Sequence, residues 1–328
     1  MGEKRSKVVV LGTGGTIAGW APDPSKGREY QAGELSASDL VQGLETDQDH
    51  IVTEEVARID SKNMDWPVWL RLVARLQHWL EQGDVQGVVV THGTDTLEET
   101  AILLHTLFRD TKTVVITGAM RAANVAEPDG PRNLRHALSM AGSPGSAGVV
   151  CVFAGEVHAA AGLTKIDCQA LHAFTSQDPV PVVWAVDNLG ALRKRFSQPS
   201  TPVVDVSAEA LAQVKTWPWV ELVHHHAGQD GRLVQTMVNS TTAPDGWVVA
   251  GTGNGTMSQG LEDALATAQA RGAHVWRTTR CARGQVQALS GDRFQTVIGL
   301  NPFQARVVLT LALVAPQIKP TVLGKPEI

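Results

Sequence analysis

Short runs of β-branched and aliphatic residues, bounded by glycine, recur through the first half of this 328-residue chain. Such runs are typical of buried strands, and they predict five strands: Lys7 to Leu11, Ile51 to Ile59, Val85 to Thr91, Thr113 to Thr117 and Gly148 to Phe153. The segments between them place apolar residues at helical spacing, which predicts helices at Asp65 to Gln82, Thr96 to Phe108 and Pro131 to Met140. Alternating strands and helices indicate a parallel sheet covered on both faces, with ligands at the carboxyl ends of the strands.

A polar, punctuated segment, LGALRKRFSQPSTP at residues 189–202, interrupts this pattern and predicts a linker. Strand-like and helical runs then resume: Val220 to His224, Gly246 to Gly251, His274 to Arg277 and Phe294 to Ile298 as strands, and Met257 to Ala270 and Pro302 to Val314 as helices. We therefore predict an α/β protein with a larger N-terminal domain (1–190), a linker (191–212) and a smaller α/β C-terminal domain (213–328).

The charge composition of the chain narrows the class of ligand that this protein is expected to bind. The chain has 28 Lys and Arg against 33 Asp and Glu, a formal net charge of −5 without long runs of one sign. It therefore lacks the basic surface expected of a protein that binds nucleic acid or an anionic membrane. A small-molecule substrate is the better expectation.

The first residues, MGEKRSKVVVLG, carry an apolar run too short for the core of a signal peptide, and no stretch reaches the ~18 apolar residues of a membrane-spanning helix. We expect a soluble, cytoplasmic protein. Cys151, Cys168 and Cys281 fit neither a disulfide framework nor a zinc site, so reduced thiols are expected.

The first candidate motif runs from Val8 to Gly19, where a buried strand enters a glycine-rich turn that ends on Thr16. A dinucleotide-binding G-x-G-x-x-G/A pattern begun at Gly12 fails because Ile17 occupies its last position. The glycines could instead let backbone N–H groups form an oxyanion hole around Thr16. A tight turn with a capping threonine is the alternative.

The second candidate motif, Val88 to Thr100, is again a strand that ends at glycine and threonine before a helix. Thr94 and Asp95 lie at its carboxyl end. Asp95 to Glu98 could be only a helix start with a capping residue and an acidic first turn. Two such strand ends in one sheet favour a shared crevice, because both hydroxyls would face it.

These segments carry a resemblance to a known family. TGGTIAG at 13–19 and THGTDTLEETA at 91–101 resemble the two signature segments of bacterial-type L-asparaginases and their glutaminase-asparaginase relatives. Further matching segments follow in order along nearly the whole chain: IDSKNMD at 59–65, VVITGAMR at 114–121, DGPRNL at 129–134, GTGNG at 251–255 and LNPFQARV at 300–307.

The resemblance implies a flavodoxin-like N-terminal domain, a smaller α/β domain and a homotetramer built as a dimer of dimers, with each site shared between two subunits. It implies no cofactor. Thr16 matches the nucleophile that becomes transiently acylated, and Thr94 matches the second catalytic threonine. Asp95 matches the residue that binds the substrate α-ammonium, and Lys165 the lysine that contacts the second threonine.

The remaining site residues also come from the resemblance. Tyr30, the single tyrosine of the chain, matches the tyrosine of a mobile segment that covers the first threonine. Ser61 matches the residue that binds the substrate α-carboxylate. Asn254 matches an asparagine that the partner subunit contributes.

The sequence departs from the family at two places. Lys62 stands where several members have glutamine, and an ammonium cannot accept a hydrogen bond from the substrate amine, so Lys62 must turn away, reach the carboxylate or repel the ligand. Residues 280–300 contain no glutamate, whereas many extracellular members have one there. Either Tyr30 works without it, or Gln285, Gln287 or Asp292 replaces it.

Three consecutive histidines, 224–226, do not predict a metal site, because successive strand residues point to opposite faces. A strand end is the expectation, and no metal is expected. Three alternatives to an asparaginase stay open: a glutaminase-asparaginase, a non-catalytic amino-acid sensor on the same scaffold, and the amidotransferase subunit that acts on charged tRNA. The last usually carries an extra N-terminal domain.

Overall fold

The computed structural model describes residues 6–26, 29–44, 50–143, 148–176, 180–181 and 204–314. The chain divides into two compact units, residues 1–197 and 198–328. Residues 191–203 of the predicted linker lie outside the described residues, so the predicted boundaries stay a prediction.

The first unit is built on a seven-stranded sheet. Its strands are β1 (Lys7–Gly14), β2 (Ile51–Ile59), β3 (Val85–Thr91), β4 (Thr113–Thr117), β5 (Val149–Phe153), β6 (Glu156–Ala159) and β9 (Val180–Pro181). Two short strands, β7 (Thr164–Lys165) and β8 (Phe174–Thr175), pair with each other in a separate antiparallel sheet. The order is β2-β1-β3-β4-β5-β6-β9. The first five strands are parallel in the flavodoxin-like order, and β6 and β9 add an antiparallel edge. The predicted parallel sheet is therefore confirmed for five strands, and the antiparallel edge was not predicted.

Helices cover both faces of this sheet: α1 (Ala37–Gln42), α2 (Trp66–Leu80), α3 (Leu97–Phe108) and α4 (Gly130–Gly142). Helix α2 begins where the Asp65 carboxylate accepts the Val68 N–H at 2.9 Å, with proline in the first turn. Residues of α1 and α4 pack on the same sheet face as Val10, Val89 and Val115. Neighbouring strand residues point the other way, so α2 and α3 cover the opposite face. The predicted helices are confirmed to within one or two residues at their ends; α1 was not predicted.

The second unit has a four-stranded parallel sheet in sequential order: β10 (Val220–His224), β11 (Gly246–Gly251), β12 (His274–Thr279) and β13 (Gln295–Thr296). Its helices are α5 (Ala208–Ala212), α6 (Arg232–Val238), α7 (Gln259–Ala270) and α8 (Pro302–Val314). Helices α6 and α7 pack around the fully buried Trp247, and α8 contacts three of the strands.

The structure of the second unit shortens one predicted strand and confirms one predicted strand end. The strand predicted from Phe294 to Ile298 is shorter, because only two residues pair with β12. Strand β10 ends at His224, so the histidine run marks a strand end as predicted. No helix in the described part of the chain is long and apolar enough to cross a membrane.

Candidate active site

Two strand-end turns meet at the carboxyl edge of the first sheet. Strands β1 and β3 are hydrogen-bonded neighbours, and both run on into glycine and threonine. A Cβ atom added to Gly15 would lie 2.3 Å from both the Cα and the N of Gly93, so the two backbones touch. The residues that follow these glycines, Thr16 and Thr94, are therefore brought side by side, and they are 7% and 5% exposed.

The Thr16 hydroxyl lies 2.6 Å from the Tyr30 hydroxyl, and either oxygen can be the donor. Thr16 opens a 3-10 turn whose cap residue is Gly15, and no side chain caps that turn, so the capping interpretation of Thr16 is wrong. Gly19 leaves room for the Tyr30 ring, since a Cβ there would lie 2.7 Å from the ring atom Cδ2. The Gly15 N–H donates to the Ile59 carbonyl at 2.8 Å. This glycine therefore does not supply the oxyanion-hole donor that the sequence suggested.

A lysine joins the second threonine to the neighbouring aspartate. The Lys165 ammonium donates to Thr94 Oγ1 at 2.8 Å and to Asp95 Oδ1 at 2.7 Å. The Lys165 N–H donates to the carboxylate of Glu98 at 2.8 Å, and this glutamate is 6% exposed. Charge-assisted bonds of this kind are short and directional. Glu98, in the first turn of α3, thus fixes the strand that carries Lys165, a contact between residues 67 positions apart that no local pattern reveals.

The Ser61 turn is attached to the Thr94 turn by two hydrogen bonds. The Asp95 N–H donates to Ser61 Oγ at 3.2 Å, and the Thr96 hydroxyl donates to the Ser61 carbonyl at 2.8 Å. Thr96 is the cap residue of α3, yet its side chain makes no capping bond. The segment is therefore more than a helix start. Ser61 and Asp95, the expected partners of a substrate carboxylate and amine, therefore belong to one hydrogen-bonded group.

Lys62 turns away from that group. Its ammonium lies 2.8 Å from Asp60 Oδ2, and its side chain is 67% exposed. The Asp60 carboxylate raises the pKa of Lys62, with smaller contributions from Tyr30 and Asp95. Of the three positions considered for this lysine, the structure shows the first.

A buried chain of hydrogen bonds supports the turn before Thr94. His92 is fully buried, and desolvation lowers its pKa to about 4, so the ring is neutral. Its Nδ1 lies 2.6 Å from the Gly93 carbonyl, which can only accept, so Nδ1 carries the proton. Nε2 then accepts from the Thr100 hydroxyl at 2.9 Å, which accepts in turn from the Trp69 indole at 2.8 Å. No sequence pattern pointed to this network.

Asn254 belongs to the second unit and is held there on both sides. Its carboxamide donates to the Gln287 carbonyl at 3.0 Å and accepts the Gln287 N–H at 2.7 Å. The Arg277 guanidinium donates to the Asn254 carbonyl at 2.8 Å and forms a largely buried ion pair with Asp292. Asp292 also accepts the Leu289 N–H at 2.8 Å. These contacts engage Asp292 within its own unit, so the remaining predictions are that Gln285 or Gln287 replaces the family glutamate or that Tyr30 works without it.

No metal-binding group of three or more His, Cys, Asp or Glu side chains occurs among the described residues. The site described above consists of hydroxyls, one ammonium and carboxylates. That donor set is suited to proton transfer and to nucleophilic attack.

Comparison with known proteins agrees with this geometry. The family model "Asparaginase, N-terminal" matches residues 7–195, and "Glutaminase/Asparaginase C-terminal domain" matches residues 219–321. The chain belongs to the asparaginase family.

Individual relatives cover nearly the whole chain. It is similar to L-asparaginase 2 of Bacillus subtilis, with 32% identity over 93% of this chain and 81% of the relative. It is also similar to the glutaminase-asparaginase of Pseudomonas fluorescens, with 28% identity over 96% of this chain and 88% of the relative. A crystal structure of a probable cytoplasmic L-asparaginase from Campylobacter jejuni superposes with a TM-score of 0.80 at 28% identity, covering 94% of this chain and 95% of that one. The relatives therefore confirm the two-domain α/β fold.

Because the backbones of the two turns touch, we expect one methyl group added at Gly15 to lower the stability of the protein strongly. Gly15→Ala should lower the thermal midpoint and the yield of folded protein, because its Cβ meets backbone that cannot move aside cheaply. Gly155→Ala is the control for a positive φ alone: φ is 78° at Gly15 and 86° at Gly155, but nothing lies within 4 Å of a Cβ at Gly155. The free energy of unfolding of this control should fall by only ~1–2 kcal/mol, which is the cost of placing an alanine in the left-handed conformation. Equal losses in the two variants would show that the Gly15 contact is unimportant.

Proposed function

We propose that this protein hydrolyses the side-chain amide of L-asparagine to L-aspartate and ammonia, with Thr16 as the nucleophile. The observation that carries the proposal is the 2.6 Å contact of the Thr16 and Tyr30 hydroxyls, beside the Thr94, Lys165 and Asp95 group. A threonine hydroxyl is a weak nucleophile and needs neighbouring groups that remove its proton. The names of the relatives support the same reaction.

The reaction has two steps. Thr16 Oγ1 attacks the amide carbon, and the C–N bond breaks to give an ester on Thr16. The hydroxyl proton passes to the departing nitrogen through the Tyr30 oxygen or the Thr94 hydroxyl, and ammonia leaves. Water then attacks the ester, which releases aspartate and restores the Thr16 hydroxyl. Lys165 donates to Thr94 Oγ1, so the Thr94 hydroxyl hydrogen is directed away from the ammonium and is available to another acceptor.

The substrate's amino-acid end is held by the group around Ser61. The Asp95 carboxylate binds the α-ammonium through the part of it that is exposed to solvent. The Ser61 hydroxyl accepts from the Asp95 N–H, so its own proton can go to the α-carboxylate. Asn254 completes the site from a neighbouring subunit.

A glutaminase-asparaginase is the second candidate within the same chemistry. The relative from Pseudomonas fluorescens bears that name. Because glutamine is longer by one methylene, the choice between the two amides depends on how firmly the amino-acid end is held.

The nucleophile assignment is tested by replacing each hydroxyl. Thr16→Ala and Thr94→Val should each reduce ammonia release from asparagine by at least ~10²-fold, because nucleophilic and acid/base groups contribute that much. Both variants should stay folded, since each residue lies on a turn. An ammonia assay on the purified variants, with circular dichroism as the folding control, measures this. A variant that keeps more than about a tenth of the activity removes its residue from the catalytic group.

Amide selectivity is tested at Lys62. With Lys62 paired to Asp60 and no glutamate in residues 280–300, Asp95 alone binds the substrate amine, and a lost charge-assisted bond is worth ~1.5–3 kcal/mol. A loosely held glutamine misplaces its amide more often, and ~1 Å of error can cost ~10²-fold in rate. We expect asparagine to be preferred, with low glutaminase activity.

Lys62→Gln should then lower the KM for asparagine and raise glutamine turnover. Arg71→Gln, which removes another exposed cation of the same unit on helix α2, should change neither. Comparable wild-type turnover of both amides, or unchanged kinetics in Lys62→Gln, would show that other residues organise the pocket.

We also propose a homotetramer, a dimer of dimers, in the cytoplasm. The cytoplasmic designation of the Campylobacter jejuni relative supports the location, although a Haemophilus influenzae relative is named periplasmic. Since Asn254 serves a neighbour's site, activity should require at least a dimer. Sedimentation and enzyme activity should be measured across a dilution series. We expect the activity to fall at the same protein concentrations at which the oligomer dissociates. A fully active monomer would contradict the shared site.

A further inference from the structure

Trp20 and Gln31 lie at the two ends of the segment that carries Tyr30, and together they form the stem of this segment. Trp20 and Gln31 exchange two backbone hydrogen bonds of 2.9 and 3.0 Å, as neighbouring antiparallel strands do. Tyr30 directly precedes Gln31, so the position of its hydroxyl depends on where this stem is held. The residue after Trp20, Ala21, is fully buried.

Asn124 binds the stem at Ala21 through both ends of its carboxamide. Its Oδ1 accepts the Ala21 N–H at 2.8 Å, and its Nδ2 donates to the Ala21 carbonyl at 2.7 Å. A carboxamide both donates and accepts, so it pairs with the backbone as another strand would. The two bonds link residues 103 positions apart.

The segment that carries Asn124 is itself fixed to the fold. It connects β4 to α4, and the Ala123 N–H donates to the Gly19 carbonyl at 2.9 Å. The buried Asp129 carboxylate accepts the N–H groups of Met120 and Arg121 at 3.0 and 2.9 Å. The stem is therefore tied to the sheet through contacts that involve no substrate.

From these contacts we infer that Asn124 is a positioning residue that sets the place of Tyr30, and so holds the Tyr30 hydroxyl beside Thr16 before any substrate binds. The inference rests on the proposed function for its effect on catalysis. The position of Tyr30 itself is measurable without any assay of activity.

The experiment uses the fact that Tyr30 is the single tyrosine of the chain. Protein labelled with 3-fluorotyrosine gives one ¹⁹F resonance that reports the surroundings of this ring. Asn124→Asp keeps the acceptor for the Ala21 N–H but places a negative oxygen against the Ala21 carbonyl. Asn124→Ala removes both bonds without adding charge, and serves if the aspartate variant does not fold. Glu127→Gln, an exposed change in the same connection, is the matched control.

In both Asn124 variants the resonance should move toward that of the urea-unfolded protein, and kcat should fall about tenfold with little change in KM. The control should match the wild type. Because Asn124 acts through Tyr30, Asn124→Ala in a Tyr30→Phe background should lower kcat less than about twofold further.

Two results would overturn the inference: an unchanged resonance in both Asn124 variants, or an undiminished loss of kcat in the Tyr30→Phe background. The failure of the proposed function looks different. In that case the wild-type protein would release no ammonia from asparagine, or Thr16→Ala would release it at the wild-type rate. The resonances of the labelled wild type and Asn124 variants would still report whether Asn124 holds the ring.

Discussion

The contact between Gly15 and Gly93 is the constraint on which the rest of the site depends. The turns that follow two neighbouring strands can touch each other only if neither turn carries a side chain at the point where the backbones meet. The Thr13 hydroxyl strengthens the crossing by donating to the Thr91 carbonyl at 2.8 Å. Thr16, the proposed nucleophile, and Thr94 thereby lie on backbone that is already fixed in the folded sheet, which is how a preorganised site avoids ordering costs during reaction.

The threonines differ in their partners, and this suits them to different roles. Thr16 contacts the Tyr30 phenol, and either oxygen of this pair can be the hydrogen-bond donor. Thr94 meets an ammonium that is paired with Asp95 and anchored through its backbone to Glu98. In the proposed reaction the Lys165 and Asp95 pair therefore lies beside the substrate amine, and the hydroxyls of Thr16 and Tyr30 serve bond formation.

Much of this could be predicted from the sequence, for physical reasons. The central strands are continuous β-branched runs ending in glycine, so the bounds of Ile51–Ile59 and Val85–Thr91 are predicted correctly. Short edge strands such as Glu156–Ala159 have no such pattern and are not predicted. The residues of both threonine groups follow from the motifs. The contacts that position them do not, because Glu98 and Asn124 bind backbone far away in the sequence. Likewise, no sequence pattern indicates that the Gly15 N–H binds the Ile59 carbonyl or that Lys62 pairs with Asp60.

The most direct test of the central claim is to trap the covalent intermediate. Acid quenching during turnover of asparagine, followed by proteolysis and mass spectrometry, should reveal an aspartyl ester on the peptide that contains Thr16. An ester on Thr94 or on any other residue, or full turnover with no ester on Thr16, would contradict the account.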